Sequence, residues 1–261
     1  MARPAVTIVK LGGNILEDPA QRSAALAQVA RLHGSCVLVH GGGNAASSLA
    51  ARLGIAPRMV HGRRITDRET LDVVTMVYGG LVNRSLVAEL QSLGCNACGL
   101  TGADLDVIRA ERRPVGEIDY GYVGDITAVN AAALSTLFEK GVTPVIAPLT
   151  HDGGGGLLNT NADTIAASIA SALAHSMEVR LLYCFDRGGV LDRDGNVLPR
   201  IDLAFAEELT AAGVITAGML PKLHNAFEAL HAGAAEVILC SAEHLSKTAA
   251  GEKGYGTEVR L

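Results

Sequence analysis

Five short stretches of this sequence bring together residue types that handle anions. The first is Lys10-Leu11-Gly12-Gly13-Asn14. Lys10 ends the apolar run Val6 to Val9 and two glycines follow it. In open α/β sheets ligands bind just beyond the carboxyl ends of the strands, so a lysine there directs its charge into the ligand crevice. The glycines let a ligand approach the backbone and expose N–H groups. A lysine snorkelling from a strand end before a tight turn is the structural alternative. The second stretch, His40-Gly41-Gly42-Gly43-Asn44, again ends a strand and opens a helix, which makes an anion or oxyanion site. Gly41, Gly43 and Ala46 also fit the dinucleotide pattern G-x-G-x-x-A. The acid expected about 20 residues later is missing from that pattern, because Asp67 comes late and starts a helix. His40 reads as a hydrogen-bonded structural residue and not as a base.

Gly62-Arg63-Arg64-Ile65-Thr66 precedes a helix. A guanidinium fork there suits a carboxylate or phosphate, and a solvated basic loop is the alternative. Asn159-Thr160-Asn161-Ala162-Asp163 gathers two amides and a carboxylate at a helix start. Capping accounts for one of them. Asp163 then either offsets the helix dipole or orients a lysine. In Gly218-Met219-Leu220-Pro221-Lys222 the glycine and proline mark a helix start. Lys222 falls in its first turn, where the dipole disfavours a cation by roughly 0.3–1 kcal/mol. A bound phosphate would remove that conflict.

These stretches need a frame that presents strand ends and helix starts together. Val6 to Val9 and Cys36 to Val39 read as buried parallel strands, with a helix over Pro19 to Leu32 between them. Helices are expected over Asn44 to Leu53, Asp67 to Leu93 (broken at Gly79-Gly80, with Thr66 as N-cap), Ala131 to Lys140, Thr160 to Leu173, Ala204 to Ala212 and Leu220 to Ala232. Strands are expected at Cys95 to Leu100, Thr143 to Ala147, Val179 to Cys184, Glu236 to Cys240 and Thr257 to Leu261. Asp106 to Arg112 and Tyr120 to Ile126 alternate as an antiparallel hairpin flap. Gly153 to Gly156 reads as a hairpin turn, because no helix or lysine follows as P-loop chemistry requires.

Composition limits the function. The chain has 261 residues, 49% hydrophobic and 19% charged, so it can bury a sizeable core. A net charge of −5 argues against nucleic acid or an anionic membrane as the main partner. No run reaches the ~18 apolar residues of a membrane span. Five cysteines make no disulfide framework. Cys95 and Cys98 form one C-x-x-C, read as two small strand residues because no second pair completes a zinc site. The expected compartment is the cytoplasm. Of 22 basic residues just five are lysines, namely Lys10, Lys140, Lys222, Lys247 and Lys253.

Taken in order, K-L-G-G at Lys10, H-G-G-G at His40, G-x-R-I-T at Gly62, N-x-N-A-D at Asn159, G-M-x-P-K at Gly218 and G-T-E-V at Gly256 resemble the amino-acid kinase superfamily. Within it they look most like the N-acetylglutamate kinases of arginine biosynthesis, over essentially the whole chain. The resemblance implies a three-layer α/β/α sandwich around a mainly parallel sheet, in two lobes. Residues 1–174 would bind the acylated amino acid and residues 175–261 the nucleotide. It implies ATP-dependent phosphorylation of the γ-carboxylate of N-acetyl-L-glutamate. In that reaction Lys10 and Lys222 would grip the transferring phosphoryl group and Asp163 would hold both lysines. Gly12, Gly13 and Gly41 would offer N–H groups to the phosphates, and Gly42 and Gly43 would face the substrate. Arg64 and Asn159 would hold the substrate α-carboxylate, and Asp186, Gly218 and Met219 would belong to the nucleotide site. Mg²⁺ would ride on the ATP phosphates, with no protein ligand assigned.

Two positions depart from the family pattern. Phe185 stands where a small hydroxyl residue is usual, and Arg187 where an aliphatic is common. The flap Pro114 to Gly124 is similar to that of relatives in Bacteroidetes, where succinyl can replace acetyl. The first strand starts by Val6, without the N-terminal helix of arginine-inhibited hexamers, so a homodimer insensitive to arginine is expected. N-succinylglutamate and N-acetyl-aminoadipate are the alternative substrates. A dinucleotide-binding oxidoreductase and a non-catalytic metabolite sensor are the alternatives of other classes.

Overall fold

The computed structural model describes residues 3–60, 62–215 and 219–261. Strand β1 (Ala5–Leu11) buries Val6, Ile8, Val9 and Leu11. The glycine pair after it does not form an open loop, because α1 (Gly13–Glu17) already starts at Gly13. Helix α2 (Pro19–Ala30) is capped by Asp18, whose carboxylate accepts the N–H groups of Ala20 and Gln21 at 2.8 and 3.1 Å. Then come β2 (Ser35–His40), α3 (Gly43–Arg52) and a small antiparallel hairpin of β3 (Met59–Val60) and β4 (Arg63–Arg64). That hairpin is too short to show any alternation in the sequence.

Helix α4 (Arg68–Val74) is capped by Asp67, which accepts the Thr70 N–H at 2.9 Å. Thr66, the expected cap, turns its hydroxyl to the Arg64 carbonyl instead. The expected break at Gly79-Gly80 does not occur. Residues Thr75–Val82 form a π-helical segment that leads directly into α5 (Asn83–Ser92). Two glycines cost a helix about 2 kcal/mol relative to alanine. Burial of Leu71, Val74, Val77 and Tyr78 in one apolar cluster holds the helix together despite them.

The chain continues through β5 (Ala97–Leu100), β6 (Ile108–Arg112), β7 (Gly124–Val129), α6 (Ala131–Glu139), β8 (Thr143–Ile146), β9 (Leu149–His151), β10 (Leu157–Asn159) and α7 (Ala162–Ala174). It ends with β11 (Glu178–Phe185), β12 (Arg200–Ile201), α8 (Leu203–Ala211), α9 (Leu220–His231), β13 (Glu236–Ser241), α10 (Leu245–Ala249) and β14 (Thr257–Val259). This is an α/β fold with a large, mainly parallel central sheet. The glycine run is the expected hairpin turn. Asp152 accepts the N–H groups of Gly154 and Gly156 there, between the antiparallel strands β9 and β10.

The residues pack as two compact units, Met1–Leu38 with Ala166–Leu261, and Val39–Ile165. These bounds are not the expected 1–174 and 175–261. The reason is β1, which pairs in parallel with β11 along its whole length, from Ala5 opposite Glu178 to Leu11 opposite Cys184. In the first unit the strand order is β12-β14-β13-β11-β1-β2; β12 with β14, β13 with β11 and β11 with β1 pair in parallel, and β14 meets β13 antiparallel. Cys184 and Cys240 face each other across β11 and β13 with sulfurs 3.5 Å apart. The hydrogen bond to Cys240 and burial both push the Cys184 thiol pKa up, so the pair behaves as core. In the second unit β5 and β8 pair in parallel, and β10-β9-β6-β7 form a separate four-stranded sheet that contains the flap hairpin β6–β7.

Candidate functional site

In the first unit a cavity of about 290 Å³ opens beyond the carboxyl ends of β1 and β11. Its lining includes Lys10, Gly13, Asp186, Arg187, Met219 and Lys222. Lys10 is 7% exposed at the end of β1. Gly12 also borders the cavity, but its N–H donates to the Cys184 carbonyl at 2.9 Å. That bond makes it unavailable for the phosphate role expected from the sequence. Gly12 serves instead to let β1 approach β11, since a Cβ there would lie 3.3 Å from the same carbonyl oxygen. Gly13 begins α1, and a Cβ on it would meet nothing within 4 Å. The Asn14 amide reaches the Asp186 carboxylate at 3.5 Å, a link the sequence did not signal.

Phe185 is buried, while Asp186 and Arg187 emerge from the end of β11. Met219 occupies the N-cap position of α9 without a capping side-chain bond. Pro221 stands in the first turn and Lys222 is the third helical residue, as the G-M-x-P-K pattern suggested. Gly218 lies outside the described residues. Three cations, Lys10, Arg187 and Lys222, thus line the cavity against one carboxylate, Asp186. A cavity with that balance attracts a polyanion.

In the second unit β2 ends at His40, which is fully buried. Its Nδ1 lies 2.7 Å from the Gly41 carbonyl, and its Nε2 lies 3.1 Å from the Asn83 amide nitrogen, which also donates to the Val145 carbonyl at 2.8 Å. Nδ1 therefore carries the proton and Nε2 accepts, so no free lone pair remains for base chemistry. Burial lowers the His40 pKa to about 4. In the unfolded chain the value is about 6.5. The neutral ring's contribution to stability is therefore complete above about pH 6.5 and is lost as the pH falls towards 4. The loss amounts to about 3 kcal/mol. Urea unfolding between pH 7.5 and 4.5 should show this loss, and His40→Gln should flatten it. An equal slope in the variant would place the acid sensitivity elsewhere.

The glycines after His40 are shaped by close approach. A Cβ on Gly42 would lie 2.9 Å from the Tyr78 ring. Helix α3 starts at Gly43, and its first N–H groups have no acceptor within the helix. Arg64, 7% exposed, donates from one nitrogen to the Gly43 carbonyl at 2.8 Å and to the Ser47 hydroxyl at 2.7 Å. Its partners among the described residues are thus all neutral. A buried cation in that position gains most from a carboxylate that a ligand brings. Arg63 beside it is half-buried, and burial together with the nearby Arg113 charge lowers its pKa.

Asn159 sits at the end of β10 and donates its amide to the Thr66 hydroxyl at 2.9 Å. The flap ties these positions together. Thr66 N–H donates to Tyr120 O, Tyr122 N–H to Thr66 O, and Asn159 N–H to Tyr122 O. Arg112 and Arg113 stack over Tyr122 and Tyr120, and Arg113 pairs with Asp125. The sequence pointed to Arg64 and Asn159 but not to Thr66 and the flap tyrosines that join them. No local pattern marks a segment that bridges two others by backbone hydrogen bonds. Within the Asn159–Asp163 cluster, capping falls to Asn161, which accepts the N–H groups of Asp163 and Thr164 at 2.8 and 3.1 Å. Asp163, 7% exposed, stands in the first turn of α7.

A strand-end lysine, a glycine-opened helix and a cation-lined cavity on a mainly parallel sheet describe a phosphoryl-handling α/β protein, and the comparisons agree. Residues 5–241 match the model of the amino acid kinase family, and the chain belongs to that family. The acetylglutamate kinase of Bacteroides thetaiotaomicron is 55% identical to it over 240 residues, covering 91% of this chain and 93% of the relative. Among solved structures, smu.665 from Streptococcus mutans superposes with a TM-score of 0.77 at 26% identity, over 97% of this chain and 98% of that one. N-acetylglutamate synthase from Neisseria gonorrhoeae superposes with a TM-score of 0.83 at 24% identity, a likeness of fold. It covers 99% of this chain, which spans 60% of that protein's length.

Proposed function

We propose that this protein transfers the γ-phosphoryl group of ATP to the γ-carboxylate of N-acetyl-L-glutamate, giving an acyl phosphate, as a step of arginine biosynthesis. The cavity lined by Lys10, Arg187 and Lys222 carries this reading. The buried Arg64, whose partners Gly43 and Ser47 are neutral, supports a carboxylate substrate. The relatives named acetylglutamate kinase support the choice of acid.

The attacking group has an unperturbed pKa of about 4.3, so it is ionised at pH 7 and needs no base. That suits a chain whose buried His40 has both ring nitrogens engaged. A carboxylate oxygen forms the new bond to phosphorus, the bond to the β–γ bridging oxygen breaks, and ADP leaves with the electron pair. The obstacle is bringing an anion against a polyanion, which positioning and charge neutralisation overcome. Lys10 and Lys222 hold the transferring group, and Asp163 is the carboxylate of the proposed catalytic set. Gly13 and Gly41 offer N–H groups to the phosphates, and Gly42 and Gly43 face the substrate carboxylate. Arg64 and Asn159 grip the α-carboxylate. Asn159 has one amide hydrogen on Thr66 and a second to give. Asp186, Arg187, Gly218 and Met219 take the nucleotide.

Among the described residues no group of three or more His, Cys, Asp or Glu is placed to hold a metal ion, and the cavity contributes one carboxylate, Asp186. This donor set fits Mg²⁺ carried on the nucleotide phosphates, where it would neutralise charge. No described helix is long and apolar enough to cross a membrane, and the proposed site of action is the cytoplasm. The proposed assembly is a homodimer. Met76 and Leu81, 53% and 65% exposed on the π-helical segment, give it an apolar face. Light scattering should show twice the chain mass, and Leu81→Lys should shift it towards the monomer. A monomeric wild type would overturn this assembly.

The deciding experiment is a coupled ADP assay with N-acetylglutamate, N-succinylglutamate and N-acetyl-aminoadipate, with hydroxylamine trapping of the acyl phosphate. Turnover should be greatest with N-acetylglutamate. Absence of ADP with all three acids, or tight NADH binding in a fluorescence titration, would refute the kinase reading.

A further inference from the structure

We propose that His40 is a positioning residue for the substrate carboxylate, holding the Gly41–Gly42 peptide so that the Gly42 N–H is presented to it. The inference rests on the kinase reading for the identity of the carboxylate. The hydrogen bonds fix one tautomer of the ring. The Asn83 side-chain nitrogen donates to the Val145 carbonyl at 2.8 Å, so the nitrogen of that amide, and not its oxygen, meets His40 Nε2 at 3.1 Å. Nε2 must then accept, and Nδ1 gives its proton to the Gly41 carbonyl at 2.7 Å. Asn83 is fully buried and its Oδ1 has no hydrogen-bond partner. An unpaired buried oxygen costs the fold. A leucine of similar volume would avoid that cost but would give Nε2 nothing to accept.

The peptide plane carries this order to the glycines. In a trans peptide the carbonyl and the following N–H point in opposite directions. The Gly41 carbonyl turns to His40, so the Gly42 N–H turns away from the ring. The Gly42 carbonyl accepts the Ala46 N–H at 3.0 Å, which in the same way aims the Gly43 N–H out of the start of α3. Gly42 is buried, and its N–H meets no acceptor among the described residues. A side chain cannot stiffen this point, because a Cβ on Gly42 would lie 2.9 Å from the Tyr78 ring. Glycine has the freest backbone of any residue. Its two flanking peptides are therefore held from outside, one by His40 and one by α3.

The test uses the different reach of two amides. His40→Asn puts an amide nitrogen near the place of Nδ1 and can still donate to the Gly41 carbonyl. His40→Gln reaches the place of Nε2 and leaves that carbonyl unheld. Both variants take the ring out of the core, so both should melt below the wild type. The kcat/KM for N-acetylglutamate should fall about 10-fold or more in His40→Gln and stay within about threefold in His40→Asn, with the KM for ATP within about twofold in both. Equal losses in the two variants would make His40 a core residue alone and overturn the proposal. Nitrogen NMR of the wild-type imidazole at neutral pH should show the Nδ1–H tautomer, and an Nε2–H tautomer would overturn the proposal as well. In amide spectra of glycine-labelled protein, N-acetylglutamate should shift the Gly42 signal in the wild type and in His40→Asn but not in His40→Gln. A Gly42 signal that ignores N-acetylglutamate in an active wild type would overturn this inference alone. A wild type that shows the expected pattern yet forms no ADP would reject the kinase reading and leave the inference standing.

Discussion

Lys10→Ala is expected to lower kcat at least ~10²-fold with the fold intact, because it takes a positive charge from beside the transferring phosphoryl group. The lysine is 7% exposed at the end of β1 and opens on the cavity it shares with Arg187 and Lys222. In such a partly enclosed site a charge acts far more strongly than it does in water. The loss should appear in kcat more than in the KM for ATP, since the other two cations still attract the nucleotide. Lys10→Arg keeps the charge on a larger, planar group and should recover little of the rate. Single-turnover measurements with saturating ATP give the cleanest reading, alongside circular dichroism to confirm folding. Near-normal turnover in Lys10→Ala would make it a strand-end lysine packed for structural reasons.

Arg64→Ala should raise the KM for the acylated amino acid about 10²-fold and leave the KM for ATP nearly unchanged. Truncating one partner of a buried, hydrogen-bonded charge pair costs 2–5 kcal/mol or more, and here the other partner is the ligand. The effect on stability separates this role from that of a structural arginine. Arg64 donates to the Gly43 carbonyl and the Ser47 hydroxyl, both neutral. Removing it therefore strands no buried carboxylate, and the melting temperature should change little. Arg64→Lys should restore affinity poorly, because a lysine cannot present the two-pronged fork. A large fall in melting temperature with an unchanged KM would assign Arg64 to the scaffold.

The site was legible in the sequence where chemistry and local structure coincide. Lys10 follows an apolar run and precedes glycines, so its place at a strand end could be read directly. Lys222 follows Gly218 and Pro221 and falls in the first turn of α9 as that pattern implies. The turn at Gly153–Gly156 followed from the turn preferences of glycine and aspartate. Other features depend on partners far along the chain. Gly12 seemed to offer an N–H to a phosphate, but the parallel register of β1 on β11 hands that N–H to Cys184. The helix from Arg68 to Ser92 survives two glycines because its apolar face is buried, and intrinsic propensity yields to that packing.

By itself the sequence determined the residues able to handle anions, their order along the chain, and the α/β alternation that puts them at strand ends and helix starts. Those properties are local, set by apolar runs, glycines and caps within a few residues of each other. Tertiary structure decided which groups remain available. It gave β1 to the unit that also contains β11, and so placed Lys10 on one cavity with Lys222. It buried His40 with both ring nitrogens engaged, which removes it as a base. It gave Arg64 neutral partners, Gly43 and Ser47, both drawn from α3. Whether a polar group is spent on the fold or left for a ligand depends on neighbours tens of residues away, and no window of sequence contains them.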